Sequence, residues 1–164
     1  MITWMRFDTP LGPMLVLAED GALSSLDFID AKYARAIEPG WRKDERSPLL
    51  IECARQVRDY FAGRRRTFDL PLAPHGTAFQ CRVWGEISRI PYGKTITYGE
   101  LAKRSGAAGS ARAAGAATGR NPLAIVVPCH RVLGSGGALT GYAGGVDRKA
   151  RLLALEGASE EALA

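Results

Sequence analysis

The sequence predicts a mixed α/β (α+β) protein in two parts, and three observations carry that prediction. Residues 1–30 hold three short apolar runs, Thr3 to Asp8, Met14 to Ala18 and Leu23 to Phe28, separated by turn residues, as short strands are. Pro71 to Gly76 then interrupts the chain like a linker, with two prolines and a glycine in six residues. Beyond it, apolar residues recur at helical spacing.

In the first part, about residues 1–72, Asp20-Gly21 stands between two apolar runs and marks a hairpin. Residues 31–46 carry mixed charge around Pro39-Gly40 and read as loop. Ser47-Pro48 opens a helix, with serine as cap and proline in the first turn. Its apolar face is Leu49, Leu50, Cys53, Ala54, Val57, Tyr60 and Phe61, and Gly63 stops it. Arg64-Arg65-Arg66 reads as a solvated basic turn. Thr67 to Leu70 reads as one more strand.

The second part, residues 77–157, opens on a capping box, Thr77 with Gln80, ahead of a helix whose stripe is Phe79, Val83, Ile87 and Ile90. Pro91-Tyr92-Gly93 ends that helix. Thr97 with Glu100 forms a second capping box that starts a short helix through Arg104, Ser105-Gly106 turns the chain, and Ser110 is placed to cap a second helix from Ala111 to about Gly119. Two short helices around a glycine turn form a helix-turn-helix pattern. A major-groove reader needs Asn, Gln or Arg to reach base edges, whereas this second helix is mostly Ala and Gly with Arg112 near its start. Such a helix suits close approach to a narrow groove, or tight packing in a core.

Ile125-Val126-Val127 is a β-branched run between Asn121-Pro122 and Gly134-Ser135-Gly136-Gly137, and it reads as a buried strand ended by Pro128. Cys129 then stands at a strand terminus. A free cysteine is a small hydrophobe as often as a nucleophile, but the neighbouring His130 and Arg131 favour a thiolate. Adjacent residues of a straight strand face opposite ways. To act together, Cys129 and His130 therefore require a turn at Pro128 or a bridging water.

Net charge is +5 and the pI about 9.4 over 164 residues, a balance that suits a polyanionic partner. Cys53, Cys81 and Cys129 form no disulfide framework, and with only His75 and His130 no zinc-ligand spacing arises. Neither a signal peptide nor a bilayer-spanning run is present, so a cytoplasmic protein without a membrane partner is expected.

Pro128-Cys129-His130-Arg131-Val132, with Asn121-Pro122 and Arg112-Ala113-Ala114-Gly115 upstream, resembles the signature of the methylated-DNA–protein-cysteine methyltransferases. The resemblance runs from about Thr77 to Gly157 and is loose before that. It implies an N-terminal ribonuclease-H-like domain and a C-terminal winged-helix-like domain. It also implies a monomer that repairs double-stranded DNA by direct reversal, taking the alkyl group of O6-alkylguanine, and of O4-alkylthymine, irreversibly onto its own cysteine.

By that resemblance Cys129 is the nucleophile, His130 acts on it through a water, and Glu156 orients and charges the histidine. Lys149 supports the thiolate. Tyr98 crowds the target phosphate and supplies the proton that the leaving guanine needs. Arg112 fills the space of the flipped nucleotide, Ala113 and Gly115 line the groove-facing helix, and Asn121 is a hinge to the thiol. Val132, Tyr142 and Ala143 wall the alkyl pocket. Relatives with serine at the position of Ala143 have a side-chain contact that is absent here, though the backbone N–H survives. No cofactor or metal is implied; some relatives hold zinc on N-terminal Cys and His residues that this chain lacks.

Two other classes compete. A lesion-sensing DNA-binding protein without chemistry would replace the cysteine, so Cys129 argues against it. A cysteine hydrolase would need an oxyanion hole and a histidine distant in sequence, for which His75 alone is available.

Overall fold

A computed structural model describes residues 1–158. Two compact units make up the chain: Met1–His75 with Pro122–Ala124, and Gly76–Asn121 with the residues from Ile125 onward.

The first unit is built on a four-stranded sheet in the order β3-β2-β1-β4, where β1 is Thr3–Phe7, β2 Met14–Glu19, β3 Ala22–Phe28 and β4 Arg42–Lys43. β1, β2 and β3 form an antiparallel meander, and β4 adds in parallel to β1. Asp20 and Gly21 join β2 to β3 with φ of 52° and 78°, the two positive values that a tight hairpin turn needs to match the strand twist. Every residue from Met14 to Ala18 is buried. α1 (Pro48–Phe61) packs on β1 and β2. Ser47 Oγ accepts from the Leu50 N–H at its start, 3.3 Å away, and Leu50, Cys53, Ala54, Val57 and Tyr60 are buried on its inner face.

The strand expected over Thr67–Leu70 does not form. Asp69 is instead tied to α1, its N–H donating to Gln56 Oε1 at 2.9 Å and its carbonyl accepting from Gln56 Nε2 at 3.0 Å. Backbone pairing begins only at Leu72, as a single bridge to Leu23. A second bridge, Leu26 to Leu123, places the Pro122–Ala124 segment on the same strand β3.

The second unit is helical: α2 (Ala78–Ile87), α3 (Tyr98–Arg104), α4 (Ala111–Gly119) and α5 (Val146–Leu155). The Thr77–Gln80 capping box closes with both of its hydrogen bonds. Thr97 caps α3 through Oγ1, whereas the Glu100 side chain pairs with Arg104 instead of returning to the cap. Ser110 makes no side-chain cap for α4; its ψ of 51° lies outside the extended range of a regular N-cap. A two-residue parallel ladder, β5 (Ile96–Thr97) with β6 (Val132–Leu133), lays the start of α3 beside the residues just after Cys129. Val83, Ile87, Ile90, Leu101, Leu152 and Leu153 are buried in this unit. Among the described residues, no helix is long and apolar enough to cross a membrane.

Candidate active site

The run expected to be a strand before Cys129 is a turn. Ile125 has a φ of 71°, a left-handed conformation that is a genuine outlier for a β-branched residue and costs on the order of 1–3 kcal/mol. Asn121 holds the turn from the side: its Nδ2 donates to the Val127 carbonyl at 2.8 Å in a buried position. Pro128 has φ −81° and ψ 63°, the values of an inverse γ-turn, and the Cys129 N–H accordingly donates to the same Val127 carbonyl at 2.8 Å. Cys129–Arg131 then form one turn of 3-10 helix. The chain therefore turns at Pro128 instead of running straight through Cys129 and His130. Successive side chains of a three-residue turn point about 120° apart, not to opposite faces.

Behind the thiol lies a buried charge network. Cys129 is 7% exposed and His130 wholly buried. His130 Nε2 sits 2.7 Å from Glu156 Oε2. Arg131 donates from Nε to Glu156 Oε1 at 2.8 Å, from Nη2 to Oε2 at 3.0 Å and from Nη1 to the Ile90 carbonyl at 2.6 Å. The Gly93 N–H adds a bond to Oε1 at 3.2 Å. Four donors therefore converge on one carboxylate, which favours its charged form. Glu156 is the cap residue at the C-terminal end of α5, an unfavourable place for an anion unless it is paired, and here it is paired twice.

This network corrects one expectation. Arg131 directs its guanidinium to Glu156 and the Ile90 carbonyl, not to the thiol. It also fixes a tautomer. With a carboxylate on Nε2, the imidazole proton belongs there, and Nδ1 carries the lone pair. That Nδ1 is buried and has no hydrogen-bond partner among the described residues. Burial lowers the His130 pKa below the ordinary histidine value, Glu156 opposes that shift, and the Arg131 and Lys149 charges reinforce it. Burial thus favours the neutral ring of His130, with Nδ1 as its open acceptor nitrogen.

Lys149, in the first turn of α5, is fully buried. Its Nζ donates to the carbonyls of Thr140 at 2.9 Å and Gly141 at 3.3 Å, and lies 5.7 Å from the centroid of the Tyr98 ring. Burial depresses its pKa to about 8, against the pull of Cys129. Tyr98 opens α3, and its Oη is 3.5 Å from the Gly141 carbonyl. Burial raises its pKa, a hydrogen bond with Thr140 works against that, and the Cys129 charge adds to it. Cys129, Lys149, Tyr98 and the Thr140–Gly141 backbone therefore share one neighbourhood. Tyr142 and Ala143 follow in the same loop, half-buried, and Val132 is fully buried within β6.

The other two thiols differ. Cys53 is completely buried, and desolvation pushes its pKa up to about 12. Cys81 is exposed on α2.

On α4, Ala114, Ala117 and Thr118 are buried, whereas Ala111, Arg112, Ala113, Ala116 and Arg120 are exposed. The open face is small and smooth with an arginine at each end. Gly115 lies against the Tyr98 ring, about 3.8 Å from where a Cβ would stand, and not on that open face. Sequence periodicity alone would add Ala116 and Arg120, three or four residues on from Ala113 and Ala116. Charge also divides between the parts of the chain: residues 1–75 hold eleven Lys and Arg against eleven Asp and Glu, and residues 76–158 hold eleven against four. Sequence reasoning missed the pairing of Arg131 with Glu156, twenty-five residues apart, and no local signal announces it.

Two family models cover nearly the whole described chain. Residues 2–74 match the ribonuclease-like domain of 6-O-methylguanine DNA methyltransferase, and residues 78–158 match its DNA binding domain. A methylated-DNA–protein-cysteine methyltransferase of Methanosarcina acetivorans is 46% identical over 151 residues, covering 92% of this chain and 96% of the relative. The protein of that name from Mycolicibacterium paratuberculosis is 46% identical over 156 residues, 95% and 93% of the two chains. Among solved structures, an O6-methylguanine methyltransferase of Mycobacterium tuberculosis matches with a TM-score of 0.84 at 43% identity, covering 95% of this chain and 93% of that one. A Mycobacterium tuberculosis OGT in complex with DNA matches with a TM-score of 0.86 at 41% identity over 98% of both chains. Both halves matched and close relatives spanning nearly its full length mean that this chain belongs to the 6-O-methylguanine DNA methyltransferase family.

Proposed function

We propose that this protein reverses DNA alkylation directly, moving the alkyl group from O6 of guanine in double-stranded DNA onto Sγ of Cys129, once per molecule. The observation that carries this is the setting of Cys129: a thiol that shares its surroundings with a buried lysine and Tyr98, and that directly precedes a histidine whose Nδ1 is open and whose Nε2 is held by a buried glutamate.

In the proposed reaction His130 Nδ1 takes the thiol proton through a water, and the Lys149 charge favours the thiolate. As the S–C bond forms, the C–O6 bond breaks and its electron pair stays on the guanine. The guanine takes a proton from Tyr98, which recovers one from the His130 side. Thiol and O6-alkylguanine become thioether and guanine, with every proton accounted for. O4-alkylthymine presents the same saturated carbon on an exocyclic oxygen and fits the same step.

α4 is the groove-facing helix in this scheme. Its exposed Ala113 and Ala116 allow close approach to a minor groove, Arg112 enters the stack as the nucleotide flips out, and Asn121 links the helix to the thiol-bearing turn. Tyr142 and Ala143 wall the pocket. The protein acts as a monomer in the cytoplasm, where reducing conditions keep Cys129 a thiol.

A thioether has no electrophilic carbonyl for water to attack and does not exchange as disulfides do, so the alkylated protein is a dead end. Incubation with a duplex carrying labelled O6-methylguanine, followed by peptide mass analysis, tests this. One label per protein, on Cys129, is expected, and Cys129→Ser binds DNA without transfer. Sustained turnover, or label on Cys53 or Cys81, overturns the mechanism.

A further inference from the structure

The last turn of α4 has a carbonyl that the helix itself cannot fully serve. Ala117 lies four residues before Asn121, yet the Asn121 N–H turns to the Thr118 carbonyl at 3.1 Å, and it is the Arg120 N–H that reaches Ala117, at 3.2 Å. The strong bond to the Ala117 carbonyl comes from outside the helix: Trp84 Nε1 on α2, at 2.8 Å and buried. Trp84 is 3% exposed. Its ring is confined on its far side by the Gly76 backbone, where an added Cβ would stand 2.4 Å from Cη2 and 2.6 Å from Cζ3.

From this point a short chain of bonds leads to the thiol. Ala117 is in the last turn of α4, Asn121 stands two residues beyond the end of that helix, Asn121 Nδ2 holds the Val127 carbonyl, and the Cys129 N–H donates to that same carbonyl. The link between α4 and the turn is thus set at one end by Asn121 and at the other by the indole.

We infer that Trp84 is a positioning residue for the reaction, its indole N–H fixing the C-terminal turn of α4 so that a nucleotide flipped by that helix arrives at Cys129. The inference rests on α4 being the groove-facing helix. Packing alone would need only an apolar ring at this site. Positioning needs the donor, because the bond sets both the rotation and the rise of the last helical turn.

The test replaces Trp84 with 3-benzothienylalanine, which keeps the bicyclic ring and exchanges the N–H for sulfur; Trp84→Phe and Gly76→Ala serve as second variants. Single-turnover transfer from a saturating O6-methylguanine duplex is expected to slow about tenfold, the loss expected from one buried bond left unmade. Affinity for undamaged duplex and the rate with free O6-alkylguanine base, which needs no helix, should each stay within about twofold. Gly76→Ala, which must displace the indole, should show the same split. Equal losses on duplex and free base, or no loss on the duplex, overturn the inference. Arg112→Ala separates the two failures: if it slows duplex repair while the Trp84 variants do not, the positioning role is wrong. If neither affects duplex repair, α4 is not the helix that meets DNA, and the inference falls with that assignment.

Discussion

Glu156 and His130 lie twenty-six residues apart in sequence and 2.7 Å apart in the fold, both buried, with the carboxylate of one on Nε2 of the other. The pair sets which nitrogen of the imidazole is left without a partner, Nδ1. Arg131 completes it by donating to both carboxylate oxygens, which fixes the orientation of the group.

Glu156→Gln is therefore expected to damage stability and chemistry together. Arg131 would be left as a buried charge without its anion, which costs on the order of 3–5 kcal/mol. The amide can present its NH2 to the histidine, which frees the other tautomer and removes the base from Nδ1. Transfer to free O6-alkylguanine base should fall roughly 10²-fold, the usual size of a general-base contribution. Thermal melting and single-turnover rates measure the two effects. Full activity in a folded Glu156→Gln protein would remove His130 from the mechanism.

Lys149 gives a stability signature in alkali. Its pKa is about 8 in the fold against 10.5 ordinarily, so the unfolded chain binds more protons between those values. Stability contributed by this site must then rise as pH increases from about 8 to 10.5, by roughly 3 kcal/mol. The penalty is fully present below pH 8. Denaturation of the native protein and of Lys149→Met across that window should give a difference that grows in favour of the native chain. A difference that stays flat with pH would show that Lys149 is not held in its desolvated site.

His130 works in the opposite pH range. Its pKa is depressed by burial, so the fold favours the neutral ring and stability is lost as pH falls below the ordinary histidine value. The transfer rate to free base, by contrast, should not drop at that ordinary value, because the native ring is still neutral there. A midpoint in the rate at the unperturbed histidine pKa would contradict the buried network.

Arg112 is exposed near the start of α4. Arg112→Ala should slow repair in duplex DNA by tenfold or more, on the order of one lost guanidinium contact with nucleic acid, and leave reaction with free base unchanged. Equal losses on the two substrates would assign Arg112 to the fold or the thiol.

The excess positive charge of residues 76–158 and the small open face of α4 lead to one more expectation. Binding to undamaged duplex should vary little with base sequence and weaken steeply as salt rises, because phosphate contacts release counterions whereas Ala and Gly read no base edge. Fluorescence anisotropy over a salt series measures it. Affinity that is sequence-selective and insensitive to salt would count against docking through α4.

The sequence by itself determined the elements whose cause is local. Asp20-Gly21 makes its hairpin, Ser47-Pro48 and Thr77-Gln80 start their helices, and the family signature around Cys129 stands in contiguous residues, because turn and cap chemistry acts over two to four positions. The tertiary structure alone decided what is made at a distance. The apolar run Ile125-Val126-Val127 is equally compatible with a strand and with a turn, and only the Asn121 bond to Val127 and the inverse γ-turn at Pro128 settle on the turn. No pattern in the chain pairs Arg131 with Glu156, or the Trp84 indole with Ala117 thirty-three residues on. Buried charges and orphaned carbonyls must find partners wherever the packed helices bring them, and the ladder of Ile96–Thr97 with Val132–Leu133 and the packing of α2 on α4 choose those partners.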